Sequence, residues 1–498
     1  MVKKIAAFFF STSLCVPSLA TKISTMEKKE PAPTLSLSPQ WVAERIVRLS
    51  ATMKESRLRP YLQKSAVALA ESSYDTSFSF ESGYEKDKTP SVSSTADLST
   101  EKLKTVMTLK KPWTTGTLLQ LDLSHTSSVA DQSPYLTNPP DARQTAENFT
   151  LRLEQSLWKN SFGKVDRAQL KAAKDLYASS LLAGQDDLEN VILQGLRLYW
   201  QAYVAQENFQ EALRSRQRYA QLVETVKKKN ANGYANPGEL NQVQAEYHVR
   251  EANVRATSLN YLQSLDQLGT FIEQDFSQID PVFEKVDHLA ELPELKSSTT
   301  DLRTLRFQQL RVQWSDSLVE AARSRLAPDL ALVASFGSSG LDTLPSQAVS
   351  ETLSLTQPKY YLGLKFAYNF GSDIQKEDLE NKLLQRELEK TILHRREKEV
   401  EDQRLFAEEK IKSTRGIAEH QAEQVKFREQ AVQEIQRSYQ QGRVDISQLI
   451  DALNRFFAAE IQYTQAVGDY QMSLNEWAAF QDQLITPSDS LPGGSYEN

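Results

Sequence analysis

The stretch Lys359-Tyr360-Tyr361-Leu362-Gly363-Leu364-Lys365-Phe366-Ala367-Tyr368 alternates apolar and polar residues with a period of two. Tyr360, Leu362, Leu364, Phe366, Tyr368 and Phe370 fall on one side, and Tyr361, Gly363, Lys365, Ala367 and Asn369 on the other. About ten alternating residues with aromatics near the ends fit a tilted membrane strand. Taken alone, the pattern also fits a half-buried strand of a soluble sheet. The same pattern occurs 211 positions earlier in Asn148-Phe149-Thr150-Leu151-Arg152-Leu153-Glu154, where Phe149, Leu151, Leu153 and Leu157 oppose Thr150, Arg152, Glu154 and Ser156. Each run is preceded at a distance by a partner, Ser77-Phe78-Ser79-Phe80 in one case and Leu330-Ala331-Leu332-Val333-Ala334-Ser335-Phe336 in the other. Four strands per chain are therefore expected. The insert between Glu81 and Asn148 holds a further alternating run, Leu119-Gln120-Leu121-Asp122-Leu123, after a turn at Trp113-Thr114-Thr115-Gly116. It predicts an extra hairpin within 103–125, and the sequence leaves open whether that hairpin joins the strand wall.

Each second strand leads into a very long helical pattern, over 164–229 and 374–441. At 1.5 Å per residue each spans roughly 100 Å. Few turn-makers interrupt the chain, which has 17 Gly and 18 Pro in 498 residues. Return helices are expected over 239–270 and 445–484. Their seams repeat every seven residues: Leu240, Tyr247, Val254, Tyr261 and Leu268, then Leu449, Phe456, Tyr463, Tyr470 and Trp477, with Ala452, Ala459 and Ala466 between the large residues of the second seam. A strict heptad of this kind implies left-handed coiled-coil packing. Gly233 and Gly442, in the connecting turns, lie 209 positions apart, and the same offset pairs Leu240 with Leu449, Tyr247 with Phe456 and Tyr261 with Tyr470. The chain thus reads as a duplication, with repeats over 39–270 and 301–485, a bridge over 271–300 and a polar, disordered tail over 486–498. Ser38-Pro39 is a helix start, capping one helix from 39 to 72.

The N-terminus has a basic opening (Lys3, Lys4), an apolar run from Ile5 to Val16 and a small-residue close at Ser18-Leu19-Ala20. That is the pattern of a signal peptide over 1–20, followed by a flexible leader over 21–38. Cys15 is the only cysteine; Leu14 before it disfavours lipidation. No later stretch is apolar for long enough to form a membrane helix. The net charge of −7 and mean hydropathy of −0.50 offer no basic face for nucleic acid.

An export signal, two strand–strand–hairpin units and the phrase Tyr439-x-x-Gly442 followed by Leu449-Ile450-Asp451-Ala452 resemble the TolC family of outer-membrane efflux ducts. Ala466, Asp469-Tyr470, Leu474, Pro237-Gly238-Glu239-Leu240, Ala327-Pro328-Asp329-Leu330 and Gln155-Ser156-Leu157-Trp158 extend the resemblance over nearly the whole mature chain. It implies a mixed α/β membrane protein: a homotrimer whose subunits pool four strands each into a twelve-stranded β-barrel in outer-membrane lipid and line a long periplasmic α-helical coiled-coil barrel. The implied function is a passive conduit in efflux or type I secretion in a Gram-negative envelope, with a periplasmic adaptor and an inner-membrane pump of RND or ABC type as partners. The resemblance also places a constriction at the hairpin tips. Tyr439 and Asp451 match its residues and Glu239 takes the acidic position of the first copy, whereas Arg443 lies one residue before the usual arginine and Gln448 replaces a usual aspartate. These departures imply a less negative constriction with weaker cation preference. Asn232-Gly233 and Gln441-Gly442 stand where the housekeeping members carry valine-glycine pairs, which leaves the adaptor's identity open.

No catalytic cluster is legible. His125, His248, His288, His394 and His420 are scattered, none four residues from another, and no Gly-rich phosphate loop is present. No cofactor, metal or enzymatic activity is expected. The alternative reading is a periplasmic coiled-coil adaptor or scaffold, which would need the helical hairpins but not the paired strands.

Overall fold

The computed structural model describes residues 34–89, 99–131, 142–234, 236, 238–286, 288–293, 302–371 and 373–484. The signal segment with Cys15, the leader before 34 and the tail from 486 lie outside the described residues. The chain divides into two compact units: residues 1–55, 187–297 and 402–498 form one, and residues 56–186 and 298–401 the other.

In chain order the elements are β1 (Thr34–Leu37), α1 (Pro39–Leu49), α2 (Ala51–Ser72), β2 (Ser77–Asp87), β3 (Ser99–Pro112), β4 (Thr117–Asp131), β5 (Arg143–Ser156), α3 (Lys164–Ala231), α4 (Glu239–Phe271), β6 (Asp280–Phe283), α5 (Arg303–Arg325), β7 (Asp329–Asp342), α6 (Pro345–Leu353), β8 (Pro358–Ala367), α7 (Asp373–Gln440) and α8 (Ile446–Phe480). The long helices α3 and α7 are each 68 residues, about 100 Å at helical rise. Among the described residues no helix is long and apolar enough to cross a membrane.

Among the described residues the second unit carries a six-stranded sheet in the order β2-β3-β4-β5-β7-β8, antiparallel throughout. This corrects the expected four strands. The hairpin expected within 103–125 extends over 99–131 and lies inside the sheet, between β2 and β5. A short turn sets its register, with the Trp113 N–H donating to the Thr117 carbonyl (2.9 Å) and the Gly116 N–H to the Trp113 carbonyl (3.0 Å). That register places apolar residues beside apolar residues: Phe80 pairs with Met107, Met107 with Leu123, Leu123 with Phe149, and Leu121 with Leu151. Leu151 pairs onward with Phe336, and Phe336 with Tyr360.

One face of the sheet is therefore apolar from edge to edge, with Phe78, Met107, Leu121, Leu151, Leu332 and Leu364 among its members. The other carries Glu81, Lys104, Asp122, Thr150, Ser335 and Lys365. Much of the apolar face is exposed, Phe80, Leu153, Leu362 and Leu364 among its members. A soluble sheet would bury such a face. The short helix α6, which the alternation did not foreshadow, covers only part of β5 and β7, with the Thr352 hydroxyl reaching the Glu147 carbonyl at 3.4 Å. The helices of this unit are tied by the buried Glu389, which accepts from Gln308 (2.7 Å) and from Arg311 (2.9 and 3.2 Å).

In the first unit the helix expected over 39–72 breaks at Ser50, whose ψ of 126° is extended. The break lets Val42, Ile46 and Met53 all reach one core, and the Glu273 carboxylate caps the restarted helix by accepting from the Ala51 N–H (2.9 Å). Ser38 caps α1 as expected, its hydroxyl accepting from the Trp41 N–H (3.1 Å). The end of the expected flexible leader and part of the expected irregular bridge instead pair as parallel strands, β1 with β6. Leu37 and Phe283 from these strands are buried against Tyr199 of α3, whose hydroxyl donates to the Leu37 carbonyl (3.1 Å). Along the heptad seams Tyr261, Leu268, Leu449, Phe456, Tyr470 and Trp477 are buried.

Candidate functional site

The hairpin tips, all within the first unit, are built from helix ends. Helix α3 closes with Gly233 at φ +77° and α7 with Gly442 at φ +73°. Both use the same bonds. The Gly233 and Gly442 N–H groups donate three residues back, to Asn230 (3.1 Å) and Tyr439 (3.1 Å), and the next N–H groups reach five back, to Lys229 (2.9 Å) and Ser438 (2.9 Å). This pair of bonds satisfies the last carbonyls of a helix and requires a left-handed residue, so glycine ends both helices.

Below these turns lies an apolar cluster of Tyr219, Val226, Val243, Tyr439, Leu449 and Phe456 with their neighbours. Tyr439 is 4% and Glu239 9% exposed. The Tyr439 hydroxyl donates to the Glu239 carboxylate (3.3 Å), and Asn236 Nδ2 donates to its other oxygen (2.7 Å). Lys229, in the last turn of α3, donates to the Tyr439 carbonyl (2.9 Å) and lies 3.9 Å from the centre of its ring. Burial, the adjacent Glu239 charge and the bond to Glu239 push the Tyr439 phenol up to about 12, so it remains a donor. Glu239 opens α4, where the helix dipole favours a carboxylate. These contacts join the ends of α3 and α7 to the start of α4.

Of the four side chains predicted for this site, the structure brings together two, Tyr439 and Glu239. Asp451 points to solvent and pairs with Arg455 at 2.8 Å. The Arg443 side chain is exposed and makes no side-chain bond among the described residues. Asp451 and Arg455 instead line a cleft of about 320 Å³ between α7 and α8 with Arg428, Ile435 and Gln448. Lys229 and Asn236 were missed. The run Lys227-Lys228-Lys229 just before a turn was the available signal, since cations favour a helix C-terminus.

Two polar clusters lie further along the hairpins. The Tyr219 hydroxyl donates to Asn454 Oδ1 (2.7 Å), which also accepts from Arg250 (3.1 Å). Glu211, buried on α3, faces Glu460 on α8. Arg214 Nε lies 2.7 Å from Glu211, and Arg218 lies 3.7 Å from each carboxylate. Burial, with Glu211's hydrogen bond and charge, pushes Glu460 up to about 8 against the pull of the two arginines. Among the described residues no group of three His, Cys, Asp or Glu could hold a metal.

No family profile and no curated protein matches the chain. Solved structures do. The chain is similar to CusC, studied for folding and transmembrane channel formation, at 12% identity and TM-score 0.64 over 92% of this chain and 95% of that one. It is similar to the outer-membrane protein VceC of Vibrio cholerae at 12% identity and TM-score 0.61, over 89% and 95% of the two chains. It is also similar to the outer-membrane channel CmeC of Campylobacter jejuni at 14% identity and TM-score 0.62, over 92% and 90%. The fold of the chain is that of these three structures.

Proposed function

We propose that this chain is the outer-membrane channel subunit of a trans-envelope export system. Three copies pool their sheets into one membrane barrel, and the helical hairpins, the two halves of an internal duplication, form a periplasmic coiled-coil tunnel. The observation that carries this reading is the apolar face that runs across six paired strands and is largely exposed, backed by a face that carries the charged and polar residues. Lipid stabilises the first face and a water-filled lumen the second. Open edges within a bilayer are not viable, so copies must share strands.

The conduit is passive and takes no cofactor. Energy comes from an inner-membrane pump, of RND or ABC type, joined through a periplasmic adaptor. Small-molecule efflux and type I secretion of proteins both suit it. The tip contacts of Tyr439, Glu239 and Lys229 hold the narrow state, with Asp451 and Arg443 available to neighbouring copies. Like carboxylates gathered about the symmetry axis favour opening, and the tyrosine and lysine donors oppose it.

A carbonate wash of envelope membranes, followed by native mass measurement in detergent, tests the reading. An integral trimer is expected. A chain released by carbonate as a helical monomer or dimer would fit the periplasmic scaffold instead.

A further inference from the structure

Among the described residues the sheet ends in two strands with one free edge each, β2 and β8. Every residue of β2 and nearly every residue of β8 is exposed. Direction alternates over an even number of strands, so β8 of one copy and β2 of the next meet antiparallel and the ladder continues without a break.

The sheet itself constrains how they meet. Its bonded register carries Gly363 through Val333, Glu154 and Leu118 to Pro112 on β3. The apolar run on β3, however, centres on Met107, five residues from Pro112 and four strand-to-strand steps from β8. The runs on β4 and β5 centre on Leu121 and Leu151, intermediate along the same climb. A band immersed in lipid lies level, so the climb measures strand tilt. With about 3.3 Å per residue and about 4.8 Å between strands it gives a tilt of about 40°, inside the 35–45° of membrane barrels.

Carried across the six steps that join one copy to the next, the climb is about seven to eight residues. Only an even shift keeps polar residues on the polar face, which selects eight. The bonded register links Ser77 to Tyr361 through Lys110, Gln120, Arg152 and Ser335. An eight-residue shift therefore sets Tyr361 opposite Glu85 of the neighbouring copy. In that register Lys359 meets Asp87 and Lys365 meets Glu81 on the polar face, while Leu362 meets Tyr84 and Phe366 meets Phe80 on the apolar face. Both lysines of β8 thus find an acid. A six-residue shift would leave Lys365 opposite Ser79. Within its own chain Lys365 already reaches Glu154 at 3.4 Å and is 56% exposed, so a second acid can approach it from the open side.

We propose that β8 of each copy pairs with β2 of the next in the register Lys365–Glu81 and Lys359–Asp87, closing an eighteen-stranded barrel from three six-stranded sheets. This rests on the channel reading above. The inserted hairpin β3–β4 is what raises the strand number from twelve. At equal tilt it widens the wall from about 24 Å to about 36 Å between opposite backbones.

The test is cysteine cross-linking in outer membranes, in a chain carrying Cys15→Ser. Glu81→Cys with Lys365→Cys, treated with a short bis-maleimide, is expected to give a ladder that ends at three chains. Its yield should be at least fivefold that of Ser79→Cys with Lys365→Cys. A reversed preference overturns the register, and a ladder ending at two chains overturns the eighteen-strand ring. A detergent-stable trimer that cross-links at neither pair overturns the seam but leaves the channel reading standing. A carbonate-soluble monomer defeats the channel reading itself. Charge exchange gives an independent measure: Glu81→Lys and Lys365→Glu should each lower trimer yield several-fold, and the double variant should restore it. Additive losses in the double variant overturn the pairing.

Discussion

Leu151→Arg isolates the physical claim on which the membrane reading stands. Leu151 lies at the middle of the apolar run of β5, flanked across the sheet by Leu121 and Phe336. An arginine there, facing hydrocarbon near mid-membrane, costs about 2–4 kcal/mol per chain. That is about a 30- to 800-fold loss in the folding equilibrium of each subunit, at about 1.4 kcal/mol per tenfold. A ring of three identical chains multiplies the penalty to about 6–12 kcal/mol. The matched control is Thr150→Arg, one residue away on the opposite face. Thr150 pairs with Asp122, whose carboxylate already accepts from the Thr108 hydroxyl and the Gln120 amide, each at 2.7 Å. The added guanidinium would meet water and a carboxylate and cost close to nothing. The assay is the fraction of heat-modifiable, urea-resistant trimer recovered from outer membranes at matched expression. Leu151→Arg should lose nearly all of it and Thr150→Arg little. Equal recovery of the two variants would refute the assignment of faces.

The remaining predictions concern the helices. Tyr439→Phe removes the hydroxyl bond to Glu239 and leaves that carboxylate, among the described residues, with the Asn236 bond, a loss of about 1–3 kcal/mol in the closed tip. It should raise single-channel conductance in planar bilayers without lowering trimer yield, and parent-like conductance would place the constriction elsewhere. Because burial beside Glu211 pushes Glu460 up to about 8 from an ordinary 4.5, the folded state binds the extra proton. Its contribution is therefore complete below about 4.5 and is lost as pH rises through about 8. Thermal melting of the helices should fall between about pH 5 and pH 8 and level off above that, and Glu460→Gln should flatten that slope; a rising slope sinks the assignment. Glu389→Ala strands Arg311 and Gln308 beside an emptied buried site and should cost about 2–4 kcal/mol in urea unfolding. A change below about 0.5 kcal/mol would show that water replaces the carboxylate without loss.

Much of the fold was legible because its signals are local. Period-two alternation in 359–370 and 148–157 marked two strands and their faces, and the heptads from Leu240 and Leu449 marked the buried sides of the return helices. The β3–β4 hairpin was visible as a hairpin, but its place in the sheet was not, since strand neighbours depend on contacts distant in sequence. The break at Ser50 likewise depends on Glu273, more than two hundred residues away. The short strands β1 and β6 are only four residues each, too brief for periodicity to register. At the tips, Tyr439 and Glu239 were found through a resemblance in spacing. Asp451 and Arg443 matched as well or nearly as well, yet their side chains point outward, because spacing fixes a residue's place on a helix and not the partner it meets.

On the channel reading proposed above, the free edges of β2 and β8 also bear on how the protein would reach its membrane. A lone subunit entering lipid would carry two rows of unsatisfied backbone groups, one along the 11 residues of β2 and one along the 10 of β8. Each such group costs several kcal/mol in hydrocarbon, so a single inserted chain is not an intermediate that can accumulate. If three copies share one barrel as proposed, insertion and assembly are one event, and its rate should rise more steeply than linearly with the supply of exported chains. Below a threshold of supply the chains would wait in the periplasm with their apolar faces open to capture by holdase chaperones. The abundance of finished channels would then be set by encounter among subunits, and a modest fall in synthesis would remove far more than its share of pores.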